Sequence, residues 1–233
     1  LAGRDPYYMA EGARMAEAHG ADMIDINMGC PAKKVIGGLS GSALMREPEL
    51  ALALIKATVD AVRVPVTVKM RLGWDDASLN APELAHAAEE LGVQMITVHG
   101  RARMQFYEGR ADWAKIAAVR QAISIPLIAN GDVETEADLA GILEQSGADG
   151  VMLGRGSQGR PWHAGVLAGM RAPPAPAEMA AIFERHYRMT LDFYGGVPGL
   201  RHARKHVGWT LDRFGGDISP ERRKTIMTSH DPE

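Results

Sequence analysis

The only cysteine of the chain, Cys30, lies in DINMGCPAKKV, residues 25–35, with Gly29 before it and Pro31 after it. An apolar run leads into this stretch, and Lys33 and Lys34 follow. A thiol on a tight turn at a strand end, beside the Asn27 amide and two cations, is a candidate reactive group. The alternative is a small buried apolar side chain. Four more apolar runs end in polar residues: Lys69 and Arg71; His99, Gly100 and Arg101; Asn130-Gly131-Asp132; Gly154-Arg155-Gly156. In parallel α/β folds, chemistry collects at the carboxyl ends of strands. Five such endings in succession imply one loop-rimmed pocket. The NGD and GRG endings suit a phosphate, because glycine lets backbone N–H groups approach an anion and Arg155 adds a two-pronged charge.

Each of these residues also has a plain structural reading. Lys69 is an ordinary solvated lysine unless a ligand meets it inside a pocket mouth, where an unpaired charge is costly. His99 suits a satisfied core histidine, and Asp132 suits a residue that fixes its own turn. Lys33, Lys34, Arg101 and Arg103 are either solvated charges or the rim of a mouth that receives phosphates. In RHARKH, residues 201–206, Arg201 and Lys205 are four apart and share a helix face with Arg204 nearby. That cluster is either a solvated surface or an RNA-facing one. Trp209 is expected to pack its helix onto neighbours, and the thirteen methionines to fill the core.

The elements that must position these residues alternate. Strands are expected over 21–29, 64–72, 93–101, 125–132 and 148–156, with helices over 47–62, 82–92, 112–123 and 136–147. Asn80, three residues before Glu83, has capping-box spacing, and Ser219-Pro220 reads as a helix start. Strands that are apolar almost throughout, with helices between them, imply a parallel sheet covered by helices. The opening LAGRDPYY reads as a strand end running into a helix, as if cut from a longer chain. The proline-rich stretch RAPPAPAEM, 171–179, marks a linker, and the text beyond it is helical throughout. The expected domains are 1–170 (α/β), 171–177 (linker) and 178–233 (helical).

The 233 residues carry a net charge of −3, so any polyanion-binding surface must be local. One cysteine excludes an internal disulfide and fits a reducing, cytoplasmic setting. No apolar run approaches the roughly 18 residues of a membrane span, and no metal site is expected.

Taken together, DINMGCPAKKV, VKMRLGW, VHGR, NGD and GRG, in this order, resemble the bacterial tRNA-dihydrouridine synthases, most closely the B-type, nitrogen-regulation-like branch, and RHARKHVGWTL resembles that family's helical tail. The resemblance implies an FMN-binding (β/α)8 TIM-type barrel followed by a helical tRNA-binding domain, and a monomer is expected. It implies reduction of particular tRNA uridines to 5,6-dihydrouridine. FMN delivers a hydride to C6, Cys30 a proton to C5, and NADPH re-reduces the flavin. Lys69, His99, Asn130, Gly131, Asp132, Gly154 and Arg155 match flavin-binding positions. Asn27 matches a base contact, and Arg71, Lys33, Lys34, Arg101, Arg201, Arg204 and Lys205 are the candidate substrate and RNA contacts. A thiol with the usual pKa of about 8.5 stays mostly protonated at neutral pH, as a proton donor must. Family members begin with two strands and a third bearing a flavin-contacting glutamine. Leu1 is expected to fall just after that glutamine, leaving the barrel incomplete here.

Three other readings compete. A free-pyrimidine flavin enzyme of the dihydroorotate dehydrogenase type shares the barrel, the FMN and an asparagine-plus-cysteine loop, but needs neither KKV after the cysteine nor a basic tail. A flavin-free aldolase or isomerase would use Lys69 as a Schiff base or phosphate ligand. A catalytically inactive fragment would bind RNA only.

Overall fold

The computed structural model describes residues 1–231. They form two compact units that divide after Gly154.

The first unit is built on five parallel strands in sequential order: β1 (Ile24–Met28), β2 (Val66–Arg71), β3 (Met95–His99), β4 (Leu127–Asn130) and β5 (Gly150–Met152). Leu1 precedes them, donating to Asp25 O at 2.5 Å and accepting from Asn27 N at 2.8 Å, which brackets Ile26 in the parallel hydrogen-bond pattern. The chain then enters α1 (Pro6–Ala18), where Asp5 caps Tyr7 N and Pro6 takes the first turn. After β1 come the short α2 (Lys33–Ile36), a 3₁₀ segment Gly41–Arg46 and α3 (Pro48–Val59). Helices α4 (Ala81–Glu90), α5 (Ala117–Ala122) and α6 (Glu136–Ser146) complete the crossovers.

Right-handed crossovers between strands in strictly sequential order all fall on one side of the sheet. Accordingly α1 packs on α3, α3 on α4, α4 on α5 and α5 on α6. The face beneath them is apolar: Ile24, Ile26, Met28, Val66, Val68, Met70, Ile96, Val98, Leu127 and Ala129 are each no more than 3% exposed. Because side chains alternate along a strand, the remaining residues share the other face. Register aligns Asn27 with Lys69 and Thr97, and Arg71 with His99, Asn130 and Met152. The polar residues named from the sequence thus lie in two adjacent rows on one surface.

Two local expectations change. Asn80 does not cap α4; its side-chain nitrogen donates to Met45 O at 2.8 Å, which turns the amide away from the helix start. The helix expected over 112–123 opens as a 3₁₀ turn, Ala114–Ile116, before α5. At α6, Thr135 and Asp138 form a reciprocal capping box, and the helix ends on left-handed Gly147.

The second unit holds a 3₁₀ turn Arg155–Ser157, α7 (His163–Leu167), α8 (Pro176–Tyr194), α9 (Gly196–Phe214) and α10 (Pro220–Thr228). Helices α8 and α9 pack on each other, and Ser219 caps Arg222 N at the start of α10. Trp209 packs against His206 with ring centroids 5.1 Å apart, and the turn at Gly159 approaches the Trp209 backbone so closely that a Cβ there would lie 2.4 Å from its oxygen. No helix among the described residues is long and apolar enough to cross a membrane.

Leu127 is fully buried on the helix-covered face. Truncation by Leu127→Ala is expected to lower unfolding free energy by about 2–5 kcal/mol, measured by urea denaturation.

Candidate active site

The Cys30 turn is folded by Asn27. Its Oδ1 accepts from Gly29 N at 3.0 Å and from Cys30 N at 3.1 Å, an Asx-type turn directly off the end of β1. The Cys30 carbonyl accepts from Ser42 N at 3.0 Å and Ser42 Oγ at 2.9 Å. Gly41, at φ 59°, permits that contact; a Cβ there would lie 2.8 Å from Cys30 O. The thiol itself is half-buried, reachable yet partly desolvated.

Arg71 ties this turn to the loop after β3. Its Nε donates to Gly29 O at 2.9 Å, and Nη1 donates to Ala102 O at 3.0 Å and Phe106 O at 2.9 Å. The side chain is 1% exposed, so its donors serve loop carbonyls.

Lys69 pairs in register with Asn27. Its ammonium makes no ion pair or hydrogen bond with another described residue. Burial pushes its pKa down, the Arg71 charge adds to that, and Asp25 opposes it. Asp25, on the same face, accepts from Thr67 Oγ1 at 2.8 Å, and burial pushes its carboxyl upward. His99 is 8% exposed. Desolvation, with Arg71, Lys69 and Arg101 nearby, drives its pKa down to about 3 against the weaker pull of Asp132, so the ring is neutral at physiological pH.

The next ending packs against His99 through Gly131. Asn130 Nδ2 donates to Met152 O at 2.8 Å, and Gly131 O accepts from Trp113 Nε1 at 2.8 Å. Asp132, at φ 56°, receives Arg101 Nη1 at 3.0 Å, Arg101 Nη2 at 2.5 Å and Ala111 N at 2.8 Å. Its carboxylate therefore holds the loop after β3 as well as its own turn. Gly154 is exposed at the end of the first unit; Arg155 is exposed in the second.

Arg101 and Arg103 are not the exposed cations that their loop positions suggest. Arg101 is 1% exposed and Arg103 is 7% exposed. The first is claimed by Asp132. The second stacks its guanidinium over Trp74, 4.6 Å from the ring centroid, and Phe106, 4.4 Å away. Arg204 is likewise engaged, donating through Nη2 to Ser229 O and to Thr228 O at 3.5 Å, the carbonyl end of α10. Lys33, Lys34, Arg201 and Lys205 remain exposed. Sequence reading missed the stacking of Trp74, which also meets Arg46 at 3.8 Å; interleaved arginines and aromatics in the loops after β2 and β3 were its signal. Also missed was the exposed tip of the helical unit, where Met189, Phe193, Tyr194 and Val197 are 62%, 81%, 48% and 67% exposed. Among the described residues, no group of three or more His, Cys, Asp or Glu could hold a metal.

A sequentially ordered parallel α/β sheet that gathers one thiol, one unpaired ammonium and a neutral imidazole at its strand ends has the form of an enzyme site. Solved structures support the fold alone. A putative mandelate racemase/muconate lactonizing enzyme from Labrenzia alexandrii DFL-11 superimposes with TM-score 0.52 at 18% identity, covering 72% of this chain and 40% of that one. A phosphoenolpyruvate phosphomutase from Streptomyces platensis subsp. rosaceus gives TM-score 0.51 at 18% identity, covering 97% and 88%. Sequence relatives are far nearer. A probable tRNA-dihydrouridine synthase of Rhizobium leguminosarum bv. phaseoli is 64% identical, covering 100% of this chain and 73% of its own length. One from Rhodobacter capsulatus is 53% identical, covering 100% and 72%, and tRNA-dihydrouridine synthase B of Vibrio vulnificus is 46% identical, covering 97% and 71%. The dihydrouridine synthase family profile matches residues 1–231. The chain belongs to the dihydrouridine synthase family and is an oxidoreductase.

Two outcomes are expected. The folded protein reacts with one equivalent of an aromatic disulfide reagent, and Asn27→Ala, which unties the turn, changes the rate without changing the stoichiometry. Stopped-flow absorbance measures both. Second, the unfolded chain binds a proton at residue 99 below about pH 6.5, whereas the folded ring stays neutral to about 3. The contribution is therefore full above 6.5 and drains as pH falls toward 3. The stability advantage of wild type over His99→Gln shrinks across that window by at most about 1.4 kcal/mol per pH unit, read from urea titrations at each pH.

Proposed function

We propose that this protein reduces uridines in tRNA to 5,6-dihydrouridine, with FMN as hydride carrier and NADPH as its reductant. In this reading the sheet is part of the wall of a (β/α)8 barrel, with the polar face inward. Residues 1–170 form the flavin domain, 171–177 a linker and 178–233 a tRNA-binding domain. The observation that carries it is Lys69: a desolvated ammonium without a protein partner, on the same face as the Cys30 turn. Such a cation is costly unless a ligand meets it.

The residues fit a flavin. Lys69 offers a positive charge to an electron-rich edge, where it would stabilise the anionic reduced form. His99 offers an uncharged donor. Gly131, without a Cβ, lets its turn pack directly on His99 and Ala111, which holds the His99 ring in place for a ligand. Asn130, Asp132 and Gly154 complete the proposed cofactor contacts of the first unit; for Arg155 the flavin contact is supported by the resemblance to the family alone. Bound FMN would supply the hydride for C6 of the uracil.

Cys30 Sγ–H would release its proton to C5, on the opposite side of the ring, so that hydride plus proton account for the reduction of the C5–C6 bond. Asn27 then has two tasks: its Oδ1 holds the cysteine turn, and its Nδ2 remains for a base carbonyl. Arg71 holds the thiol turn against the loop after β3. Since a stacked base is inaccessible, the uridine must be extruded into the site. Exposed Lys33 and Lys34 beside the cysteine, and Arg201 and Lys205 on α9, are suited to the RNA backbone.

The test incubates the protein with FMN, NADPH and unmodified tRNA and quantifies dihydrouridine by mass spectrometry. Cys30→Ala is expected to lower the rate about 100-fold or more, the range of a general acid. Equal rates would reject the proton-donor role, and turnover of orotate instead of tRNA would reject the substrate.

A further inference from the structure

Arg101 has almost no solvent contact, and its donors are nearly all committed. Nε donates to Glu108 O at 3.1 Å and Nη2 to Gly109 O at 2.7 Å. Two parallel contacts bind Asp132, from Nη1 at 3.0 Å and from Nη2 at 2.5 Å. Nη1 also lies 3.3 Å from His99 Nε2. A guanidinium has donors and no acceptor. Nε2 must therefore be the unprotonated nitrogen, and the proton of the neutral ring sits on Nδ1. An imidazolium would set N–H against N–H, and Lys69, Arg71 and Arg101 all oppose its charge while only Asp132 favours it.

Gly131 makes this approach possible. At φ 131°, a Cβ would lie 3.0 Å from His99 Cδ2 and 3.4 Å from Nε2. That edge of the ring faces Gly131 and Arg101. Nδ1 is on the other edge, and no described residue accepts from it. Free histidine in water favours the opposite tautomer, with the proton on Nε2, so the surroundings invert the preference.

We propose that Arg101, braced by Asp132, is a positioning residue that locks His99 as a neutral imidazole protonated on Nδ1, offering that N–H to a carbonyl-type acceptor of the ligand bound on the polar face. The identity of the acceptor rests on the flavin and uracil reading above; the tautomer does not.

Nitrogen NMR of ¹⁵N-histidine-labelled protein, with no ligand added, tests the lock. His99→Gln assigns the signal by its loss. Wild type is expected to show a pyrrole-type Nδ1 and a pyridine-type Nε2 at residue 99, unchanged from pH 8 to 5. Arg101→Met is expected to invert the ratio toward Nε2–H, while Arg101→Lys, which still donates, retains Nδ1–H. If Arg101→Met does not fold, as judged by circular dichroism, Asp132→Asn replaces it and is expected to raise the Nε2–H fraction. A pyrrole-type Nε2 in wild type would overturn the proposal, as would a folded Arg101→Met or Asp132→Asn protein with an unaltered ratio. Addition of FMN with unmodified tRNA is expected to shift the Nδ1 proton, and an unmoved signal with both bound overturns the ligand-facing part. Should the lock hold while no dihydrouridine forms, the proposed reaction fails and the tautomer assignment stands.

Discussion

Handedness governs the architecture of the first unit. Five parallel strands in sequential order can be joined by right-handed crossovers only if every crossover helix lands on the same side. One surface of the sheet then becomes hydrocarbon, filled by Ile26, Met28, Val68, Met70, Val98 and Leu127. The opposite surface is released from that duty. Alternation along each strand assigns to it whatever the apolar face cannot take: Asp25, Asn27, Lys69, Arg71, His99 and Asn130. A doubly wound sheet, with helices on both sides, would have had no such surface to spare.

Cations stand on that surface and in the loop after β3, and they are not equivalent. Arg71, Arg101 and Arg103 spend their hydrogen bonds or their planar faces on the protein itself. Lys69 does not. The difference follows from chemistry: a guanidinium has five donors in a rigid fork and can brace several carbonyls at once, whereas an ammonium is a compact point charge. Three arginines build the frame, and the lysine is left to act on what enters it. The same positive field keeps His99 uncharged, so the site offers both a charge and a neutral donor.

Much of this was legible in the sequence. Apolar runs ending in NMGC, KMR, VHGR and NGD located the strands and the level at which polar groups gather, because burial on the helix side leaves a strong hydrophobic signature. What one dimension hides is the direction of a cation at a strand end. Arg101 and Lys33 read alike as loop charges, yet one is enclosed by Asp132 and the other is exposed. The distinction depends on which carboxylate or carbonyl lies within reach in three dimensions. Asn80 shows the same limit: its spacing to Glu83 suits a cap, but Met45 O, 35 residues earlier, competes successfully for its amide. Asn27 was read as a base contact, and its hold on the Cys30 turn emerged only from geometry.

The Arg71 guanidinium joins Gly29 O, beside the thiol, to Ala102 O and Phe106 O on the loop after β3. Those carbonyls belong to segments more than 70 residues apart in sequence, yet one rigid planar group spans them. Neither loop can shift far without breaking one of these hydrogen bonds, so the turn that carries the thiol and the loop after β3 hold their positions jointly.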